Sequence, residues 1–196
     1  MILIVTGGIG SGKSEVCRIL NGSYGYPVYN ADKRAKELYT IYPELLDSIE
    51  ARLQGRFRNN ESVFCPKMLA ERIFNDKSAL ETVESLLFPY LLKDFRHFSE
   101  HAGDIVVFES ATVLDKPFFD GFGDKVLLVK AECGLCISRA VRRDGSDVSR
   151  ILSRMENQSF QTPGSHDDQA DYIIVNDGTL EELEASVDDI VKKINL

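Results

Sequence analysis

Gly7-Gly8-Ile9-Gly10-Ser11-Gly12-Lys13-Ser14 decides the fold. It fits the phosphate-binding pattern G-x-x-x-x-G-K-[ST] without a mismatch. Glycines let the backbone adopt positive φ and approach a ligand closely. The N–H groups of Gly8, Gly10, Ser11 and Gly12 can then converge on phosphate oxygens, helped by the positive end of a following helix. Lys13 would reach the β- and γ-phosphates, and the Ser14 hydroxyl would ligate Mg²⁺. The flanks suit the motif. Ile2-Leu3-Ile4-Val5-Thr6 is an apolar, β-branched run that predicts a buried strand, and Val16, Ile19 and Leu20 follow at helical spacing. Strand, glycine loop and helix together point to a nucleoside-triphosphate site.

Outward from the loop, further apolar runs predict strands at 104–109, 125–129 and 172–176, with a short one at 27–29. Helical stretches separate them, which argues an α/β fold of the P-loop type with a parallel sheet covered on both faces. In such sheets ligands bind beyond the carboxyl ends of the strands. Asn30–Asp32, Glu109 and the segment after Val129 fall there. Residues 31–102 read as mostly helical: a helix from Asp32, then 43–53, 66–74, 78–88 and 90–101, the last two divided at Pro89. That is too much helix for one crossover. The expected organisation is a nucleotide-binding core of 1–29, 103–138 and 166–196, an inserted helical substrate domain of 30–102, and a lid of 139–165. A helical pair is expected on either side of Asp144-Gly145-Ser146-Asp147, and an amphipathic helix over 180–194.

The 196 residues are 43% hydrophobic and 28% charged, as in ordinary soluble domains. No apolar run approaches the ~20 residues that span a bilayer, so no membrane partner and a cytoplasmic location are expected. The net charge of −8 speaks against nucleic acid as a partner. The oligomeric state stays open. Cys17, Cys65, Cys133 and Cys136 do not make a disulfide framework, and the one C-x-x-C lacks a second pair for zinc. His97 and His101 share a helix face but have no third ligand in sight, which favours a solvated pair.

Glu109 ends an apolar strand, where P-loop enzymes commonly hold a carboxylate near the metal; the plainer reading is an exposed strand-end charge. Asp32 stands at a helix start. Position alone leaves it either a cap or a base that accepts a hydroxyl proton late in phosphoryl transfer. Arg139, Arg142, Arg143, Arg150 and Arg154 lie within 16 residues, an exception on an acidic chain. Arg139 with Arg143, and Arg150 with Arg154, can each share a helix face. Such a row suits a lid that clamps phosphates bidentately. Lys33, Arg34 and Lys36 fit either an anionic-substrate contact or a plain helix surface.

In order along the chain, Thr6–Ser14, Asn30-Ala31-Asp32, Glu71-Arg72-Ile73-Phe74, Arg139–Asp144, Arg154-Met155-Glu156-Asn157-Gln158 and Ala170–Gly178 resemble the motif set of the dephospho-coenzyme A kinases, nearly end to end. The resemblance implies transfer of the ATP γ-phosphate to the ribose 3′-hydroxyl of dephospho-CoA. It implies Asp32 as catalytic base, Lys13 and Arg139 as catalytic cations, and Thr6 at the reaction centre with Asp32 and Arg139 on the substrate. Residues 10–15, Glu15 included, would line the ATP phosphate site with Arg143, and Asn176–Gly178 would lie near the adenine. Ser14 and Glu109 would serve the metal. Several positions depart from the family pattern: Asn30 for the first Asp of D-A-D, Glu15 for a Thr, Phe88 before Pro89 for a His, and Glu109–Asp115 for D-x-P-L-L-[FY]-E. Three other readings are another small-molecule P-loop kinase, a GTPase-like switch and a silent nucleotide binder. The guanine-reading N-K-x-D is absent, and joint retention of Lys13, Ser14, Asp32 and Arg139 speaks for catalysis.

Overall fold

Five short strands pair in parallel in the order β2-β3-β1-β4-β5. They are β1 (Ile2–Thr6), β2 (Val28–Asn30), β3 (Val106–Glu109), β4 (Lys125–Lys130) and β5 (Tyr172–Val175). This computed structural model describes residues 1–74, 76–156 and 165–195. The helices are α1 (Lys13–Tyr24), α2 (Ala31–Ile41), α3 (Pro43–Leu53), α4 (Pro66–Phe74), α5 (Lys77–Ser99), α6 (Cys133–Asp144), α7 (Val148–Glu156) and α8 (Leu180–Ile194). Among the described residues no helix is long and apolar enough to cross a membrane. The chain divides into two compact units, Met1–Asn30 with Ala102–Leu196, and Ala31–His101.

The first unit holds the sheet. Side chains alternate across a strand, so Leu3 and Val5 of β1 and Leu127 and Val129 of β4 share one face. They pack with Val16, Ile19 and Leu20 of α1 and Leu183, Val187 and Ile190 of α8 in a single buried cluster. The other face carries Ile4, Phe108 and Tyr29. Tyr29 stacks on Phe108 at 5.6 Å between ring centroids, and Phe122 meets Phe108 edge-on at 4.9 Å. Register then aligns the strand ends: Val5 lies opposite Glu109, and Asn30 also lies opposite Glu109. Thr6, Asn30 and Glu109 therefore sit at one edge of the sheet.

The second unit is helical. Leu38, Leu45, Leu46, Ile49 and Leu69 are buried with a stripe along α5. The Arg34 guanidinium grips Asp94 through two hydrogen bonds of 2.7 and 2.8 Å and also donates to Glu37 at 2.8 Å, tying α2 to α5.

One expectation is corrected. The predicted pair 78–88 and 90–101 is a single helix, Lys77–Ser99, with Pro89 inside it. Proline in a helix interior removes one backbone donor. Pro89 and Ser85 are both exposed, so the carbonyl left without that donor opens to water. Val83, Leu87, Leu91 and Phe95 are all buried at a spacing of four, so the apolar stripe runs unbroken past the proline. The Asp76 carboxylate caps the start by accepting from the Ala79 N–H at 2.9 Å. Tertiary burial outweighs the local breaker.

Phe95 is 1% exposed and Phe74 is 57% exposed. Phe95→Ala should destabilise by about 3–5 kcal/mol, and Phe74→Ala should stay within about 0.5 kcal/mol. Urea unfolding of both variants checks this, and equal losses would overturn the packing account of α5.

Candidate active site

The loop after β1 is locked by what it touches. Gly12 caps α1 with φ 102°, and a Cβ there would fall 2.1 Å from the Asn176 amide nitrogen. Gly10 has φ 78°, and a Cβ there would fall 2.1 Å from the Cys136 carbonyl oxygen. No side chain fits at either place, and both backbone conformations are ones that L-residues rarely adopt. The loop therefore wedges against the start of α6 and the turn after β5. The Asn176 amide donates to the Ser11 carbonyl at 2.9 Å.

Lys13, the first residue of α1, folds back over the loop and donates to the Gly7 and Gly8 carbonyls at 2.6 and 3.0 Å. Its ammonium thus sits against the loop's own backbone. Glu15 lies on the exposed side of α1, paired with Arg18 at 2.6 Å. Behind the loop, Thr6 Oγ1 and Ser11 Oγ are buried without a hydrogen-bond partner. Orphaned buried hydroxyls are uncommon in folded proteins.

Glu109 is only 6% exposed, which sets aside the plain reading of a solvated strand-end charge. The Ser14 hydroxyl donates to its Oε1 at 2.8 Å, and the Asn30 amide donates to its Oε2 at 2.6 Å. Cys17 lies beside it. Burial and then the Glu109 carboxylate push the Cys17 thiol well above its usual value, so it stays a neutral thiol. Ser14 and Glu109 together present hard oxygen donors of the kind that hold Mg²⁺, which usually keeps several waters and binds through one or two carboxylates plus substrate phosphates. Asn30, a departure from the family pattern, here fixes the tilt of the carboxylate. Sequence reasoning did not find this contact.

The arginines are arranged differently from two parallel rows. Arg139, on α6, donates to the Asn176 carbonyl at 2.9 Å. Arg143 and Arg154, from α6 and α7, meet on one carboxylate. Arg143 binds Asp144 through bonds of 2.6 and 3.1 Å, and Arg154 joins at 2.6 Å. Gly145, at φ 60°, turns the chain between the two helices. The Arg150 backbone N–H donates to the Asp147 carboxylate at 2.9 Å, so Asp147 caps the start of α7. Residues 157–164 of the expected lid, Asn157 and Gln158 among them, lie outside the described residues.

The late motif Ala170–Gly178 carries structural work at nearly every polar position. Asp171 accepts from the Val126 N–H at 2.9 Å and pairs with Lys125 at 2.8 Å, fastening β5 to β4. Asp177 accepts from the Glu132 N–H at 2.6 Å, and Glu132 in turn caps α6 by accepting from the Leu135 N–H at 3.0 Å. Cys133 opens that helix, and Cys136, within its first turn, is buried. His97 pairs with Glu100 at 3.5 Å and meets His101 edge-on at 5.9 Å. Asp32 lies in the first turn of α2, two residues beyond Asn30, the last residue of β2. Arg34, one of the three basic residues beside it, is committed to Asp94 and Glu37.

A central parallel strand running into a glycine loop and helix, with Lys13 over the loop and a buried carboxylate on Ser14, is the arrangement of a P-loop nucleotide-binding protein. The fold is shared with solved shikimate kinase from Acinetobacter baumannii, 15% identical over 100% of this chain and 94% of that one, TM-score 0.58. A crystal structure from Thermus thermophilus is 26% identical over 98% of this chain and 97% of that one, TM-score 0.82. The family model described as dephospho-CoA kinase matches residues 1–182. Curated relatives carry the same name. That of Porphyromonas gingivalis is 35% identical over 88% of this chain and 84% of its own length, and that of Bacteroides fragilis is 31% identical over 89% and 83%. The chain belongs to the dephospho-CoA kinase family.

The pairing at Asp144 has a pH signature. Arg143, then Arg154, hold its carboxyl down at about 2, against about 3.9 for an unperturbed Asp. A carboxyl lowered on folding contributes stability that is full above its unfolded value and is lost as the pH falls through the folded one. Asp144→Asn should therefore lose stability by the same amount at about pH 7 and about pH 5, and the gap should shrink below about pH 4. Urea unfolding across that range checks it; a gap that closes above about pH 5 would remove the ion pairs as its cause.

Proposed function

We propose that this kinase transfers the γ-phosphoryl group of ATP to the ribose 3′-hydroxyl of dephospho-CoA, giving CoA and ADP. The observation that carries the reading is the family match over residues 1–182, with Lys13, Ser14, Asp32 and Arg139 all retained. ATP is the phosphoryl donor of the family, and Mg²⁺ joins it here as part of the proposal.

The loop backbone of Gly8, Gly10, Ser11 and Gly12 would hold the triphosphate, with Lys13 moving from the Gly7 and Gly8 carbonyls onto phosphate oxygens. Phosphoryl transfer passes through a loose transition state, so positioning and charge neutralisation supply most of the rate. Lys13 and Arg139 supply that charge, and Arg143 would add a planar fork suited to phosphate on turning away from Asp144. Ser14 and Glu109 would hold Mg²⁺, which supplies further neutralisation of the phosphate oxygens when bound. Asp32 would orient the acceptor hydroxyl and take its proton late. Thr6 lies behind the loop, where its orphaned hydroxyl supports a place at the reaction centre.

Residues 30–102 and 139–165 are assigned in the same proposal to acceptor binding and to a closing lid. Closure would exclude water and so limit wasteful hydrolysis of ATP. The four free cysteines suit the reducing cytoplasm.

A coupled ADP-release assay with Mg-ATP tests the reading, comparing dephospho-CoA, adenosine, AMP and no acceptor. Turnover is expected with dephospho-CoA alone, the product carrying a 3′-phosphate; turnover with another acceptor instead would replace the substrate. Asp32→Asn should lower kcat by about 10²-fold or more, and unchanged turnover would take Asp32 out of the mechanism. Arg139→Lys should also lower kcat, since a point charge does not replace a planar fork. A fully active Arg139→Lys enzyme would dismiss the clamp.

A further inference from the structure

Asn176 is 8% exposed and follows directly on β5. Three of its groups hold three different elements. Its backbone N–H donates to the Lys130 carbonyl at 2.7 Å, at the end of β4. Its side-chain nitrogen donates to the Ser11 carbonyl at 2.9 Å, inside the phosphate loop. Its carbonyl accepts from Arg139 at 2.9 Å, on α6. The same amide nitrogen fills the space that a Cβ on Gly12 would need, 2.1 Å away.

We infer that Asn176 is a positioning residue that sets the phosphate loop and Arg139 against each other, and so governs triphosphate binding without reading the base. A P-loop works only if its N–H groups point inward together. A carbonyl in the loop that turned inward would meet phosphate oxygens with like partial charge. The amide of Asn176 draws the Ser11 carbonyl outward, toward β5, which leaves the loop's donors facing the ligand. One of the two hydrogens on its amide nitrogen goes to that carbonyl, and the residue is 8% exposed, which leaves little of it open to a base. The anchored Arg139 starts from the same node. Movement of the turn after β5 would displace the phosphate cradle and this cation as one body.

The inference rests on the nucleotide half of the proposed function alone, and its test needs no acceptor. Isothermal titration compares Mg-ATP with Mg-tripolyphosphate, which has the phosphates but no base, on the wild-type chain and on Asn176→Ala. Losing the amide leaves the Ser11 carbonyl without its donor, so both ligands should weaken by a similar factor of roughly ten. Asn176→Asp keeps the size but removes the donor, and should act in the same direction; it also serves if the alanine variant fails to fold. Loss of ATP affinity with tripolyphosphate unaffected would make Asn176 a base contact and overturn the inference. So would a lowered Tm with both affinities intact, which marks a purely structural role. Wild-type protein that binds neither ligand would sink the nucleotide reading itself, a distinct failure.

Discussion

Parallel pairing of β1 with β3 and β4 is the constraint on which the site depends. Parallel strands all point their carboxyl ends to one edge, and their registers decide which residues arrive there together. Val5 opposite Glu109, and Asn30 opposite Glu109, bring a loop, a carboxylate and an amide to one line. A slip of one residue would turn every side chain to the other face. It would take Leu3, Val5 and Val107 out of the cluster under α1 and α8. The apolar core therefore fixes the chemistry at the edge as well as the fold.

Burying Glu109 has a cost, because an ionised carboxylate loses its hydration. A hydroxyl, an amide and the adjoining thiol surround it with polar groups in place of water. None of the three carries a charge; the Lys13 ammonium is the cation whose field also reaches this cluster. The arrangement at Asp144 works the opposite way. Two guanidiniums neutralise one carboxylate at the turn between α6 and α7, and that corner carries a net positive charge on an acidic chain. The two clusters set opposite fields in one unit of the molecule.

Local pattern carried much of this into view. The loop, its strand and its helix follow from glycine spacing and apolar periodicity, and α3, α4 and α8 have the limits that the sequence predicts. Pro89 misled because local propensity speaks for a break, while the stripe Val83, Leu87, Leu91 and Phe95 is a tertiary argument. The supporting contacts were hidden for another reason. Asn30 to Glu109 joins residues 79 apart, Ser14 to Glu109 95 apart, and Asn176 to Ser11 165 apart. No window along the chain spans them. Asn176 could be placed near the nucleotide only by resemblance, and its bond to the loop is visible only in three dimensions. Asp144 offered a signal, a carboxylate directly after Arg143, but Arg154 reaches it from the next helix.

The contact between Gly12 and Asn176 bears on how the phosphate-binding signature is written at all. The last glycine of that signature looks like a rule of the loop, as though the eight residues were self-sufficient. Its side chain is in fact barred twice, by the φ of 102° at that turn and by an amide near the other end of the chain, 2.1 Å from where a Cβ would stand. Positions 12 and 176 therefore have a shared vocabulary. The space beside the glycine is filled by residue 176, and the short motif is half of a sentence completed after the fifth strand.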